Sequence, residues 1–175
     1  MVPLTVLRLQ AGHRIAVVEL GMNHPGEIAR LVQIALPTVG LINNAQREHQ
    51  EFMKSVEEVA REHDALYGAL RDGGVAIINA DDFFAPLWSS TAIARGAQVQ
   101  NIALLNTAQL SATYQLQPLS SKVCLRFEGK QHAFELRVPG IHNVRNALAA
   151  TAAAVAAGAS FDTATKALAA FSGVK

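Results

Sequence analysis

The chain is 175 residues long, half of them hydrophobic, with 15 Lys and Arg against 14 Asp and Glu and a single cysteine. That length is enough for one domain with a buried core, and a net charge of +1 makes no case for nucleic acid or an anionic membrane as partner. The lone Cys124 excludes an intramolecular disulfide and fits a reducing compartment. The opening residues, with Pro3 and an early Arg8, do not read as a signal peptide. The most apolar run, residues 147–159, is too short and too alanine-rich to cross a bilayer. The chain reads as soluble and cytoplasmic.

In chain order, residues 2–10 read as a short helix, with Pro3 compatible with a first turn. Residues 15–20 are almost wholly apolar and predict a strand buried on both faces of a parallel sheet, with Glu19 near its carboxyl end. Residues 27–36 have helical spacing (Ile28, Leu31, Val32, Ala35), and Pro37 stops them. Residues 38–43 predict a second strand. Residues 47–70 predict a long helix carrying Phe52, Val56, Val59, Ala60, Leu66 and Leu70 at three- and four-residue intervals. A third strand over 75–79, a helix over 83–94 and a fourth strand over 98–104 follow. This alternation argues for an open, mostly parallel α/β sheet with flanking helices.

The pattern changes after Asn106. Residues 112–118, 122–128 and 131–138 alternate, the last two joined by Gly129-Lys130, and predict a small antiparallel sheet within about 107–138. Helix returns at Ile141 and breaks at Gly158, and Asp162 is placed to cap a last helix over 163–171. The alanines of 147–157 suggest close packing of a helix on the sheet. Residues 1–175 read as one domain.

If the first three strands are parallel, their polar ends share one edge of the sheet, where ligands of such folds bind. That edge collects Glu19, Asn23, His24, Glu27, Asn43, Asn44, His49, Asn79 and Asp81. Oxygen donors with one or two imidazoles suit Mg²⁺; zinc is disfavoured because the thiolate is remote and no compact histidine pair is present. Each residue also has a structural reading. Glu19 reads equally as a buried acid paired with a base or capping a helix. Asn43-Asn44 makes a good turn, residues 79–82 a good N-cap region, and His24, His49 and Asp82, taken singly, read as structural. No Gly-x-x-x-x-Gly-Lys-[Ser/Thr], Gly-x-Gly-x-x-Gly or Gly-x-Ser-x-Gly motif occurs in the chain.

Four stretches in order carry a resemblance: Val17-Val18-Glu19-Leu20-Gly21-Met22-Asn23-His24-Pro25-Gly26-Glu27-Ile28; Ile42-Asn43-Asn44 with His49; Asn79-Ala80-Asp81-Asp82; and Pro139-Gly140-Ile141-His142-Asn143-Val144-Arg145-Asn146. Together they resemble the central domain of the Mur ligases. The residues after Glu19 are most similar to the type that adds D-alanyl-D-alanine to UDP-N-acetylmuramoyl-tripeptide, and they argue against a sister ligase such as a folylpolyglutamate synthetase. The resemblance implies a P-loop-like α/β domain, the middle one of three, in an ATP- and Mg²⁺-dependent amide ligase of peptidoglycan precursor synthesis. ATP would phosphorylate the tripeptide carboxylate, and the amine of D-alanyl-D-alanine would attack the acyl phosphate.

By the resemblance, Glu19 and His49 match the metal-site residues, and Asn23 lies beside the reacting phosphate and carboxylate. His142, Asn143 and Asn146 match the motif that approaches the adenine, and Asn79 and Asp81 join the nucleotide-binding set. His63 stands where many members carry a carbamylated lysine, either as a substitute ligand or as a solvated helix residue. The family's phosphate loop and its strand precede the counterpart of Val2. The chain is therefore expected to be a truncated central domain with negligible ATP turnover alone, a non-catalytic nucleotide-binding remnant being the alternative. An exposed sheet edge and self-association are expected with it.

Overall fold

The computed structural model describes residues 2–46 and 55–173. Its elements in chain order are α1 (Val2–Leu7), α2 (Glu27–Ala35), β1 (Val39–Ile42), α3 (Val56–Gly68), β2 (Val75–Asn79), α4 (Ala85–Ala94), β3 (Gln98–Ala103), β4 (Leu110–Leu116), β5 (Ser121–Phe127), β6 (Lys130–Leu136), α5 (Ile141–Ala156) and α6 (Phe161–Ala170). The six strands form one sheet in sequence order, β1 to β6. Gln98 N–H bonds Gly74 O and Ala80 N–H bonds Ile102 O, both at 2.8 Å, so β2 and β3 run the same way. β3 and β4 are parallel, whereas β4, β5 and β6 are antiparallel. The expected small antiparallel sheet is thus an extension of the main sheet through β3 and β4. Contacts group the chain into two compact units, 1–76 with 86–99 and 77–85 with 100–175.

In the first unit the apolar stripe of α2 (Ile28, Val32) and that of α3 (Val59, Ala60, Leu66, Tyr67) are buried. Gly40 lets β1 approach α3: a Cβ there would lie 3.2 Å from Leu66 Cγ and Leu70 Cδ2. Tyr67 is fully buried, and its phenol oxygen accepts the Ile42 N–H at 3.1 Å; burial pushes the phenol's pKa far up, so it stays neutral. Buried Trp88 of α4 donates Nε1–H to Ala60 O at 3.0 Å. Thr91 donates its hydroxyl to Asp64 at 2.7 Å, while burial raises the pKa of that carboxyl.

In the second unit Ile77, Ile78, Ile102, Leu110, Leu125, Leu136, Val144 and Leu148 form the core. α5 packs on β4 and β5, and α6 on β6 and α5. Ala147, Ala149 and Ala152 of α5 are buried, as the alanine run suggests. The β5–β6 turn places Glu128 at φ 49° and Gly129 at φ 76°, the paired positive values of a tight hairpin.

Three expectations are corrected. Residues 15–20 form no strand; Ile15 is 63% and Val17 91% exposed. No backbone hydrogen bond engages them among the described residues. An apolar run becomes a strand only where a neighbour completes its ladder, and the sheet begins at β1. The third helix begins at Val56, not at residue 47: Ser55 is extended at φ −151° and its hydroxyl caps Glu58 N–H at 3.1 Å. Phe52 lies outside the described residues. The last helix is capped by Ser160, whose Oγ accepts Thr163 N–H at 3.1 Å. Asp162 sits in its first turn and pairs with His132 at 3.0 Å.

Candidate functional site

The turn before α2 is built by two carboxylates. Gly26, at φ 85°, is the N-cap and brings no side chain to the free amides of the first turn. Glu27 reaches back: its Oε2 accepts Asn23 N–H at 2.6 Å and His24 N–H at 3.2 Å, and those two amides hold its carboxyl below the usual range. Glu62 of α3 accepts Gly26 N–H at Oε2 and Ile28 N–H at Oε1, both at 2.9 Å. Glu27, collected with the polar strand ends in the sequence, is therefore occupied with holding the turn. Glu62 has no signal in the sequence, because its partners lie 34 and 36 residues away.

Glu19 does not end a strand. It is exposed on the irregular segment 15–20, and its carboxylate takes no hydrogen bond from a described residue. Asn23 is exposed on the turn held by Glu27 and Glu62. Asn43 and Asn44 directly follow β1. His49 lies outside the described residues. His63 is half-buried on α3. Among the described residues no three His, Cys, Asp or Glu side chains gather closely enough to hold a metal ion.

In the second unit Asn79 ends β2 and its Oδ1 accepts Asp81 N–H at 3.1 Å. The Asp81 carboxylate accepts Leu104 N–H at 2.6 Å, Leu105 N–H at 3.1 Å and Asn106 N–H at 2.9 Å, and Asn106 returns Nδ2–H to Ala80 O at 2.9 Å. The loops after β2 and β3 are stitched together by the Asp81 and Asn106 side chains. Asp82 accepts Phe84 N–H at 2.8 Å and opens the way into α4.

At the start of α5, Gly140 is the N-cap, with no side-chain cap and φ 94°. The His142 ring folds over it; a Cβ on residue 140 would lie 2.6 Å from His142 Cε1. Asn143 Nδ2–H donates to Pro139 O at 2.7 Å and meets His142 Nε2 at 3.0 Å. Asn143 Oδ1 remains an unengaged acceptor among the described residues. Asn146, three residues on, shares that helix face and is exposed.

Chemically, the second unit offers an acceptor and a flat imidazole at one helix start, and the first offers an open carboxylate and an amide side chain. The mixed α/β sheet with polar groups after its parallel strands is of the class in which ligands bind at the carboxyl ends of the strands. Residues 1–154 match the family model of the Mur ligase middle domain, and the chain belongs to the Mur ligase family.

Among curated relatives, it is 37% identical over 162 residues to the UDP-N-acetylmuramoyl-tripeptide–D-alanyl-D-alanine ligase of Haemophilus influenzae, covering 90% of this chain and 34% of that protein. Its identity to the Escherichia coli ligase of the same name is 33% over 161 residues, 92% of this chain and 36% of that one. A crystal structure of MurF from Acinetobacter baumannii superposes with a TM-score of 0.93 at 31% identity, covering 99% of this chain and 38% of that chain. The chain thus spans about a third of the length of the relatives it matches. No helix among the described residues is long and apolar enough to cross a membrane.

Proposed function

We propose that the chain is the ATP-handling middle domain of a ligase that joins D-alanyl-D-alanine to UDP-N-acetylmuramoyl-tripeptide through an acyl phosphate. What carries this reading is similarity, over nine-tenths of the chain, to relatives named for that one activity. The geometry supports it in two places. Asn143 Oδ1 is available to accept from an exocyclic amine such as that of adenine, with the His142 ring beside it and Asn146 on the same helix face. The Glu19 carboxylate, open to solvent, is a hard oxygen donor of the kind Mg²⁺ accepts; the resemblance, not the geometry, adds His49 as its second ligand. When bound, the cation lowers the cost of charge building on the transferred phosphoryl group.

In this reading Asn23 sits beside the reacting phosphate and carboxylate, and Asn79 and Asp81 serve the nucleotide by holding the loop after β2. The whole of 1–175 is one such domain, and its compartment is the cytoplasm, where ATP and nucleotide-linked precursors are found.

Calorimetric titration of the chain with Mg–ATP tests the reading. Binding without turnover is expected, because the 175 residues hold no Gly-x-x-x-x-Gly-Lys-[Ser/Thr] loop. Asn143→Ala should weaken binding about tenfold, the loss of one hydrogen bond to the base. An N143A variant that binds as wild type does overturns the adenine assignment. In a protein of the relatives' full length, ADP release should require D-alanyl-D-alanine; release with another amino acid instead would overturn the substrate.

A further inference from the structure

Glu62 lies on α3 beside His63, remote in sequence from Asn23 and the turn of residues 21–28. Its two oxygens are nonetheless spent on backbone N–H groups at the start of α2, Gly26 and Ile28, at 2.9 Å each. Those amides belong to the set a helix cannot satisfy internally. Neither neighbour can satisfy them locally: Gly26 has no side chain, and Glu27 is turned back onto Asn23 N–H and His24 N–H. Four amides between Asn23 and Ile28 are therefore held by two carboxylates, and one of the two is delivered by a different helix. The carboxylate also sits at the positive end of α2, where it offsets the partial positive charge of the helix start.

We propose that Glu62 is a positioning residue, whose carboxylate fixes the turn of residues 21–28 to α3 and so sets where Asn23 is presented. Its value to the reaction rests on the placing of Asn23 beside the transferred phosphate in the proposed function. The contact is charge-assisted and two-pronged, which gives direction as well as strength. Glutamine at this position keeps one acceptor oxygen of the two; alanine keeps neither.

Amide exchange measured by NMR on the whole chain tests this, with wild type, Glu62→Gln and Glu62→Ala compared. In E62A the Gly26 and Ile28 amides should exchange about tenfold faster or more, as expected on losing a carboxylate acceptor, and the Asn23 side-chain amide signal should shift. E62Q should lose protection at one of the two amides and keep it at the other. The amides of β5 should be unchanged in both variants, which separates a local release from unfolding. If E62A unfolds, the E62Q pattern decides. Unaltered exchange at Gly26 and Ile28, or an unmoved Asn23 signal, overturns the proposal.

Mg–ATP added to wild type reads the underlying function separately. If the wild-type Asn23 signal ignores Mg–ATP while the exchange pattern holds, the placement of Asn23 at the phosphate fails and the positioning by Glu62 stands. If it responds, and responds identically in E62A, the positioning role is overturned.

Discussion

Asp81 shows how one carboxylate after a strand can be read two ways and how geometry chooses. Its place behind Asn79 in Asn79-Ala80-Asp81-Asp82 marks a turn, and the bond from Asp81 N–H to Asn79 Oδ1 is local enough to be legible in that spacing. Its acceptance of three amides from residues 104–106 is not, since nothing near Asp81 in sequence names a partner more than 20 residues away. Bonds to a charged acceptor are worth more than neutral ones. Asp81→Ala should therefore lower stability by about 2–3 kcal/mol, measured by urea unfolding, and Asp81→Asn by less. If D81A left stability unchanged and abolished nucleotide binding, the carboxylate would be a ligand group rather than a stitch between loops. Glu62 and Glu27 make the same point from the other side: one is legible as an acid at a helix start, the other is invisible until α3 is beside α2.

At the level of elements, hydrophobic spacing located α2, β2, β3 and the β5–β6 hairpin to within a residue or two, because period and turn chemistry are local properties. Caps were harder. Ser160 and Asp162 are both good N-cap types, and the choice between them depends on where the backbone leaves the extended state: Ser160 is at ψ 150°, while Asp162 is already helical. Ser160→Ala should cost about 1 kcal/mol in thermal or urea unfolding. Asp162→Ala should cost clearly less, since it removes an exposed pair with His132 and a first-turn charge. The reverse order would restore the cap to Asp162. The start of α3 at Val56 has the same origin. Ser55 and Glu58 form a local cap, and that cap prevails over a helical spacing that continues through it.

For the molecule as a whole, the largest departure is residues 15–20. Their apolar run is as strand-like as that of β2, yet β2 is buried while Ile15 and Val17 are exposed and Val18 and Leu20 only half-buried. Val17→Ser should change stability by no more than about 0.5 kcal/mol, whereas Leu125→Ala in β5 should cost about 2–5 kcal/mol. A loss of several kcal/mol in V17S would show that the segment is a buried strand in solution. The expected self-association belongs to the same test: sedimentation of wild type should depend on concentration, and Val17→Asp should reduce that dependence without lowering the melting temperature.

The sequence by itself determined the alternation of strand and helix, the antiparallel hairpin, the alanine face of α5 and, through four ordered motifs, the family. Those are carried by local periodicity, turn residues and residue identity. Only the tertiary structure decided that residues 15–20 are no strand, that Glu27 and Asp81 are occupied by backbone amides, and that Glu62 holds the turn bearing Asn23. The reason is that a backbone amide or an apolar face is satisfied by whatever lies beside it in space, and residue spacing along the chain does not encode that neighbour. Glu19, which the sequence placed at a buried strand end, is left as an open carboxylate for the same reason.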